Sequence, residues 1–196
     1  MIFQTVDFLS KEVNKYLNLT LGNLLEDRLK YGNVSRALDD ATNDPVINDK
    51  AILSLVNVEE DRISRQQENY SKSDTKTIYK NPPVYLNLYL LFSVNKPDYK
   101  KSLEILGSII QFFQYQHVFT PLSHPGLHPN IQSLVVDLYT LNFEQVNHLW
   151  STLGGKYLPS VLYKVRQITI DENATTSESG FIKEIHVNEK MQAPLS

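Results

Sequence analysis

Residues 149–166 read LWSTLGGKYLPSVLYKVR, and this stretch decides between a phosphate-binding loop and a helix that runs into a strand. A phosphate-binding loop requires G-x-x-x-x-G-K-[ST] after a strand and before a helix. Trp150 occupies the position of the first glycine, and Tyr157 occupies the position of the serine or threonine. Because the pattern fails, we expect Gly154 to end a helix, where glycine readily takes the left-handed conformation.

The segment before the glycine pair has the sequence of a helix start. Asn142 and Gln145 have the spacing of a capping box, in which each side chain accepts a hydrogen bond from the other residue's backbone N–H. We expect the buried stripe of this helix to consist of Phe143, Val146, Leu149, Trp150 and Leu153. Lys156 and Tyr157 follow at the helix exit.

The segment after the glycine pair predicts a strand at 160–170 with two unlike faces. One face carries Val161, Tyr163 and Val165, and the other carries Lys164 and Arg166. Ile168 then falls on the charged face, which indicates a bulge or an exit from the sheet near Gln167. The two cations form either a solvated face or a charged surface for an acidic partner.

Three further segments alternate as strands do. Residues 51–60 are apolar on both faces, with Leu53 and Leu55 on one face and Ile52, Val56 and Val58 on the other. This pattern favours a central strand that is covered on each side. Residues 84–94 place Val84, Leu86, Leu88, Leu90 and Phe92 on one face and Tyr85, Asn87, Tyr89, Leu91 and Ser93 on the other. Residues 131–140 place Leu134, Val136 and Leu138 opposite Val135 and Tyr139.

Two longer segments, 2–18 and 97–116, have the periodicity of amphipathic helices. The predicted buried stripe of the second contains Tyr99, Leu103, Leu106, Ile110 and Phe113, widened by Ile109 and Phe112. The order of elements predicts an α+β fold, with a mixed β-sheet of about four to five strands and helices packed on it. We expect strands 51–60 and 84–94 to be antiparallel, and some later pairs, separated by helices, to be parallel.

Two polar segments interrupt this pattern. Residues 61–80 are almost entirely polar, and we expect a loop that is mobile or is ordered by a partner. After Ile170 the sequence DENATTSESG is typical of a linker. The chain is therefore predicted to contain one domain at 1–170 and a polar C-terminal tail at 171–196.

The composition narrows the functional classes. The chain has no cysteine, which excludes disulfides and thiolate metal sites, and its net charge of −3 with no basic block gives little support to nucleic-acid binding. The first residues lack the pattern of a signal peptide, and the most apolar run, within 84–94, is too short to span a bilayer. We expect a cytoplasmic protein with neither nucleic acid nor membrane as a partner.

The sequence also lacks a recognisable catalytic or metal site. His124 and His128 are four residues apart, but Pro125 and Pro129 exclude the helix that would place both on one face. Glu59, Glu60 and Asp61 end a strand, where adjacent side chains point to opposite faces. No G-x-S-x-G motif surrounds any serine. We therefore expect no enzyme activity, no cofactor and no metal, and a binding or structural role.

The tyrosines are the residues that best fit such a role. Tyr85 and Tyr89 alternate with Asn87 on one strand face, and Tyr157 and Tyr163 flank the helix exit. Tyrosine has an apolar body and a polar tip, and it is enriched at protein interfaces. The alternative is a sheet face that the protein covers with its own helices.

Four blocks of the sequence, taken together, resemble the tail-terminator or cap proteins of antifeeding-prophage-type contractile injection systems. The blocks are LSLVNVEEDR (53–62), NPPVYLNLYLLFS (81–93), IIQFFQYQHVFT (109–120) and LNFEQVNHLWSTLGGKYLPSVLYKVR (141–166). The combination and order of these blocks are specific, whereas each block alone is a weak signal. The resemblance implies a phage tail-terminator-like fold.

The resemblance further implies a structural cap without an active site. Such a protein forms a ring of six copies on the last layer of the inner tube, ends tube and sheath polymerisation, and anchors the terminal sheath ring. Its implied partners are the inner tube protein, the sheath protein and itself, in a phage-tail-like particle assembled in the cytoplasm. An adaptor layer between the tube and a separate cap is the alternative, and an enzyme with an unrecognised site is a more distant one.

A ring cap requires contact surfaces, and the sequence offers candidates for them. The candidate interface residues are Tyr85, Asn87, Tyr89, Lys156, Tyr157, Lys164, Arg166, Phe181 and Ile185. The three cations are expected to face acidic tube or sheath. Phe181 and Ile185, in the polar tail, are expected to add a strand to a neighbouring subunit or to the sheath.

Overall fold

The computed structural model describes residues 1–22, 27–37, 49–61, 70–72, 76–80, 84–170 and 175–180. The described helices are α1 (Ile2–Leu21), α2 (Val34–Ala37), α3 (Tyr99–Tyr115) and α4 (Phe143–Thr152). The described strands are β1 (Leu29–Tyr31), β2 (Ala51–Glu60), β3 (Tyr70–Lys72), β4 (Lys76–Lys80), β5 (Val84–Val94), β6 (Val118–Phe119), β7 (Leu134–Leu138), β8 (Ser160–Ile170) and β9 (Thr175–Gly180). The chain divides into two compact units, one of Met1–Ser64 with Val84–Ile170 and one of Arg65–Pro83 with Asp171–Ser196.

The first unit contains a six-stranded sheet in the order β1-β2-β5-β8-β7-β6. The predicted antiparallel pairing of β2 with β5 is confirmed. The expectation of parallel pairs among the later strands is wrong, because β8 pairs antiparallel with both β5 and β7. Among the described strands of this sheet, the parallel pair is β1 with β2. The mixed sheet with helices packed on it is as predicted, and the two short edge strands, β1 and β6, raise the strand number to six.

One face of this sheet carries the main core, on which α1 and α3 pack. The alternation predicted for β5 is confirmed, since its apolar face contributes Leu88, Leu90 and Phe92 to this core. The helix α1, predicted at 2–18, contributes Val6, Leu9, Val13 and Leu17 to this core. Tyr163 of β8 is buried between the rings of Phe92 and Phe113, at centroid distances of 5.7 and 4.6 Å.

The opposite face of the sheet carries a smaller core beneath α2 and α4. Its buried members are Val34, Ile52, Leu91, Trp150 and Leu162. The predicted capping box of α4 is confirmed: Asn142 Oδ1 accepts from the Gln145 N–H at 2.8 Å, and Gln145 Oε1 accepts from the Asn142 N–H at 3.0 Å. The helix therefore begins where the sequence indicated.

The helix exit is also confirmed. Gly154 and Gly155 have φ angles of 118° and 76°, in the left-handed region that favours glycine. The Gly155 N–H donates to the Trp150 carbonyl at 2.7 Å. The chain then enters β8, so the glycine pair links a helix to a strand and has the reverse context of a phosphate-binding loop.

The predicted bulge in β8 is confirmed and has a clear consequence. The register with β5 shifts between Leu86 and Leu88, whose partners are Ile168 and Val165. Two residues of β8 thus lie opposite one of β5, which moves Ile168 from the charged face to the main core.

The predicted faces of β2, α4 and α3 are each wrong in part. In β2, a bulge between Leu55 and Asn57 places Val58 opposite Leu88 of β5, so Val58 lies on the face of Leu53 and not on the face of Ile52. Phe143 is 96% exposed and does not belong to the buried stripe of α4. In α3 the predicted stripe is rotated: Tyr99, Leu103 and Ile110 are exposed, and the buried residues are Ser102, Ile105, Ser108, Ile109, Phe112 and Phe113.

Two buried serines accompany the rotation of α3. The hydroxyls of Ser102 and Ser108 donate to the carbonyls of Asp98 and Glu104, at 3.5 and 2.9 Å. A serine whose hydroxyl is satisfied by its own helix can be buried without an unpaired polar group. The two serines can therefore lie on the buried face among its apolar residues, while Tyr99, Leu103 and Ile110 are exposed.

The second unit contains a three-stranded antiparallel sheet in the order β3-β4-β9. Two of its strands lie in the segment 61–80 that was expected to be a loop, and the third lies in the expected linker. The loop and linker expectations are therefore wrong for these residues. Polar strands of this kind lack the apolar alternation by which strands are recognised in a sequence. The domain boundary at residue 170 stays a prediction.

Candidate interface

The helix α4 covers only part of the second sheet face. Leu91 and Leu162 are buried under it, but the next pair along the same strands, Tyr89 and Lys164, is only partly buried. We define the open face as the side chains of Glu59, Tyr89, Asp137, Tyr139, Lys164 and Arg166. These residues come from β2, β5, β7 and β8 and, for Tyr139, from the residue after β7.

A hydrogen-bonded cluster joins three strands of the open face. The Tyr89 hydroxyl donates to Glu59 Oε2 at 2.5 Å, and Lys164 Nζ donates to the same oxygen at 3.0 Å. The ammonium of Lys164 also lies 5.4 Å from the centroid of the Tyr89 ring. Tyr89 contacts Tyr139 edge-on, at 5.1 Å between ring centroids. One carboxylate thus organises an aromatic ring and a cation from neighbouring strands.

A second ion pair lies beside this cluster. Arg166 Nη2 and Nε lie 2.6 and 2.8 Å from Asp137 Oδ2. Lys164 and Arg166, predicted as two cations on one face, therefore each face an anion of the same chain. This pairing reduces the field that the two cations present to an acidic partner.

Hydrogen bonds and burial shift three pKa values on the open face. Donation by the Tyr89 hydroxyl, and then by the Lys164 ammonium, lowers the pKa of Glu59 below 4.5. The bond to Glu59 raises the pKa of Lys164 above 10.5. Burial, and then the bond to Glu59, raises the pKa of Tyr89 above 10.0. At neutral pH the cluster therefore holds one anion, one cation and one neutral donor.

Such a cluster is a poor source of stability but a suitable rim for an interface. Exposed ion pairs contribute only about 0.2–1 kcal/mol each. Nearly half of the Glu59 and Arg166 side-chain surfaces remain accessible, at 48% and 47%. The charged atoms are thus held in place yet accessible to a partner.

The other predicted interface residues of β5 lie deeper. Tyr85 is partly buried, and its carbonyl accepts from the Asp61 N–H at 2.8 Å. Asn87 is buried, and within the described part of the chain no hydrogen bond reaches its Oδ1. Asn87 is therefore enclosed in this chain, whereas Tyr89 is accessible.

Tyr157 and Lys156 lie at the helix exit, beside a groove. Both are exposed, and the Tyr157 ring packs edge-on against buried Trp150 at 5.5 Å. We define the groove as the cavity of ≈ 210 Å³ lined by Leu91, Leu138, Tyr139, Thr140, Leu141, Val146, Leu149, Trp150, Tyr157, Ser160, Val161 and Leu162. Tyr139 belongs to both the groove and the open face, so the two surfaces are continuous.

The remaining candidates have ordinary surroundings or lie outside the described residues. His124 packs between the rings of Phe8 and Phe119, and its Nδ1 lies 2.9 Å from Ser123 Oγ. No cluster of three or more metal-ligating side chains occurs among the residues that the structure describes. Phe181 and Ile185 lie outside those residues. None of the described helices is long and apolar enough to cross a membrane.

Sequence reasoning missed two acidic residues of the open face. The sequence identifies Glu59 only as the end of a strand, and Asp137 is not among the candidate interface residues. The alternation of β7 places Asp137 on the same face as Tyr139. The ion pair of Asp137 with Arg166 forms only because β7 and β8 are neighbours in the sheet, which the sequence does not reveal. Glu59 and Lys164 are 105 positions apart in the chain, and no local pattern links them.

Comparison with known proteins identifies relatives of this fold. No curated protein matches the sequence. Among solved structures, the sheath/tube terminator of an extracellular contractile injection system (PVC), in its extended state, is similar over 95% of this chain, with a TM-score of 0.55 and 13% identity. The tube terminating cap of the anti-feeding prophage is similar over 95% of this chain, with a TM-score of 0.55 and 16% identity.

This chain spans 65% and 63% of the lengths of those two proteins. The family model of the Pvc16 N-terminal domain matches residues 7–184. Together these findings confirm the resemblance to the tail-terminator family of contractile injection systems. The chain belongs to the Pvc16 N-terminal domain family.

Proposed function

We propose that this chain is a structural cap, or tail terminator, of a contractile injection system. Six copies form a ring on the last layer of the inner tube, end the polymerisation of tube and sheath, and anchor the terminal sheath ring. The observation that carries the proposal is the fold: 95% of the chain is similar in structure to a sheath/tube terminator and to a tube terminating cap.

The surface of the first unit supports an interface and not an active site. The open face combines the exposed Tyr139 and the partly buried Tyr89 with ion pairs that are satisfied within the chain, which is the composition of an interface rim. The groove beside it is apolar and aromatic, and it provides a place for an anchor residue of a partner. The role we assign is therefore non-enzymatic, with tube protein, sheath protein and further copies of the chain as partners.

A ring cap needs contacts between neighbouring copies and contacts with the tube or sheath, and we assign surfaces of this chain to both. Contacts between copies in a ring join two different surfaces of each subunit. Each stable contact buries roughly 800 Å² per partner. We assign the domain at 1–170 to these contacts and place the chain in a phage-tail-like particle that is assembled in the cytoplasm.

The test is the polymerisation of tube protein in the presence of this chain. Tube protein of the same particle is polymerised with and without this chain, and tube lengths and ends are measured by negative-stain electron microscopy. We expect density at one end of each tube, shorter tubes, and a ring mass of six times 22.5 kDa by native mass spectrometry. Tubes of unchanged length with bare ends contradict the proposal.

A matched pair of variants locates the contact. Tyr157 and Tyr99 are equally exposed, at 62% each, but Tyr157 lines the groove and Tyr99 lies on α3. We expect Tyr157→Ser to weaken ring or tube binding and Tyr99→Ser to leave it unchanged. Density that lies between the tube and a further, separate cap would instead identify the chain as an adaptor layer.

A further inference from the structure

The six-stranded sheet of the first unit ends in two short strands. Its edges are β1, of 3 residues, and β6, of 2 residues. An edge strand carries backbone N–H and C=O groups on its outward side, and these groups pair readily with a strand of another chain. The partners of the outward groups at β1 and β6 therefore decide whether this sheet can grow by strand addition.

The hydrogen bonds between β1 and β2 show which backbone groups of β1 point outward. The Ala51 N–H donates to the Arg28 carbonyl at 2.8 Å, and the Gly32 N–H donates to the Leu53 carbonyl at 3.0 Å. The backbone groups of Arg28 and Gly32 thus point toward β2. Because this direction alternates along a strand, the backbone groups of Leu29 point away from β2, to the outer side of the sheet.

The side chain of Asn14, from α1, occupies these outward groups. The Asn14 amide donates to the Leu29 carbonyl at 2.7 Å and accepts from the Leu29 N–H at 2.9 Å. These are the same two hydrogen bonds that a directly opposed residue makes in an antiparallel pair of strands. Asn14 therefore takes the place of a residue from a further strand at the edge of β1.

A second contact of α1 reaches the next outward position of β1. Tyr31 lies two residues after Leu29, so its backbone groups also point outward, and its ring packs edge-on against the Phe3 ring at 5.8 Å between centroids. Phe3 and Asn14 are about three helical turns apart and lie on the same side of α1. One side of α1 therefore contacts both outward-directed residues of β1.

The outward side of β6 carries a similar contact from a different element. The Val136 N–H donates to the His117 carbonyl at 2.8 Å, so the backbone groups of His117 point toward β7 and those of Val118 point outward. The Gln116 side chain, directly after α3, donates to the Val118 carbonyl. An amide side chain thus occupies an outward acceptor at this edge as well.

The chain after β6 occupies its own outward groups. Thr120 is the next residue of the alternation whose backbone groups point outward. Its N–H donates to Ser123 Oγ at 3.2 Å, and its carbonyl accepts from the His124 N–H at 2.8 Å. The turn at 120–124 therefore ends the edge of the sheet with backbone groups that already have partners.

We propose that Asn14 and Gln116 are edge-blocking residues, which occupy backbone groups that a strand from a second copy of this chain would otherwise pair with. The six-stranded sheet then does not grow by strand addition. This inference goes beyond the proposed function and does not depend on it, because it concerns the chain alone in solution. For the proposed cap, it means that copies contact one another through this unit by side chains and not by joining their sheets.

The first test replaces Asn14 in the full-length chain and measures self-association in the absence of tube protein. One hydrogen bond changes an equilibrium by about twofold to about tenfold. Because both outward groups of Leu29 are freed, Asn14→Ala should associate between about fivefold and about a hundredfold more strongly than wild type. Sedimentation velocity over a concentration series measures this change, and the amide I infrared band of intermolecular sheet identifies strand pairing.

Asn142→Ala is the matched control. It also removes an asparagine side chain that accepts from a backbone N–H, at 2.8 Å, but at the start of α4 and not at a sheet edge. Both variants lose a hydrogen bond between side chain and backbone, and both lose stability. Since Asn142→Ala exposes no strand edge, we expect it to associate as wild type does.

Hydrogen exchange of the Leu29 amide, followed by NMR, separates strand addition from association through partly unfolded chains. In dilute Asn14→Ala the Leu29 N–H has lost its acceptor, so it should exchange faster than in wild type. As the concentration rises, pairing with another copy should slow this exchange again. Association that leaves the Leu29 exchange fast at every concentration overturns the proposal.

Gln116→Ala tests the other edge and remains informative if Asn14→Ala does not fold. It frees one outward carbonyl, so its association should be about twofold to about tenfold stronger than that of wild type. Wild-type association of Gln116→Ala, or equal association of Asn14→Ala and Asn142→Ala, overturns the proposal for the respective edge. Because these experiments contain no tube protein, either result leaves the proposed cap function to its own test.

Discussion

Replacement of Trp150 by alanine should remove most of the energy that holds α4 on the sheet. Trp150 is 4% exposed and packs in the smaller core with Leu91 and Leu162. A buried tryptophan removes roughly 150–250 Å² from water, which at about 25 cal/mol per Å² corresponds to about 4–6 kcal/mol as an upper value. Measured tryptophan-to-alanine changes in cores are about 3–5 kcal/mol, and we expect this range.

Phe143 provides the matched control on the same helix. It is also aromatic but 96% exposed, so Phe143→Ala should change the free energy of unfolding by less than about 0.5 kcal/mol. Urea unfolding followed by circular dichroism at 222 nm measures both variants. With a slope of about 2–3 kcal/mol per molar, Trp150→Ala should lower the midpoint by about 1–2.5 M. Equal losses for both variants would refute the orientation of α4.

Three further changes test the electrostatics and the helix start. Because the folded-state pKa of Glu59 is lowered, its stabilising effect is present above the ordinary value of 4.5 and is lost as the pH falls through the folded value. At pH 7, Glu59→Gln should therefore lower the free energy of unfolding by about 0.2–1 kcal/mol, measured as a slightly lower urea midpoint. In acid, the difference from wild type should disappear. Burial raises the pKa of Tyr163 to about 12, so between pH 10 and 12 this tyrosine ionises in the unfolded chain before it ionises in the folded one. The free energy of unfolding of wild type should therefore fall by about 1.4 kcal/mol per pH unit over this range. The Tyr163→Phe variant should lack this loss. Asn142→Ala removes the cap of α4 and should destabilise the protein by about 0.5–2 kcal/mol, whereas Asn147→Ala, at an exposed position of the same helix, should be neutral; equal effects would count against the cap.

Local signals in the sequence predicted the central elements well. The alternation of β5, the capping box at Asn142 and the glycine exit at Gly154 depend on interactions within a few residues, and each is present in the structure. The bulge near Gln167 was also predictable, because Ile168 otherwise falls on the charged face. In these places a short segment contains both the pattern and its cause.

Other features depend on contacts between distant segments. The apolar residues of α3 occupy two sides of the helix, and tertiary packing decides which side is buried; Ile105, Ile109, Phe112 and Phe113 are buried beside Ser102 and Ser108. The sequence of β2 does not indicate the bulge at Val56, because the strand is apolar on both faces and a register shift leaves that pattern unchanged. The strands β3, β4 and β9 have polar sequences and are recognised only through their pairing.

The open face shows why an interface is harder to predict than a core. Lys164 and Arg166 were recognisable as two cations on one face, but a cation attracts a partner only if its charge is not already neutralised. Glu59 and Asp137 neutralise them from strands that are adjacent in the sheet and distant in the sequence. Under the proposed function, we therefore expect recognition on this side to depend more on uncharged shape than on net charge. The proposed cap would benefit from this arrangement, because unpaired charges also attract unrelated surfaces of opposite charge.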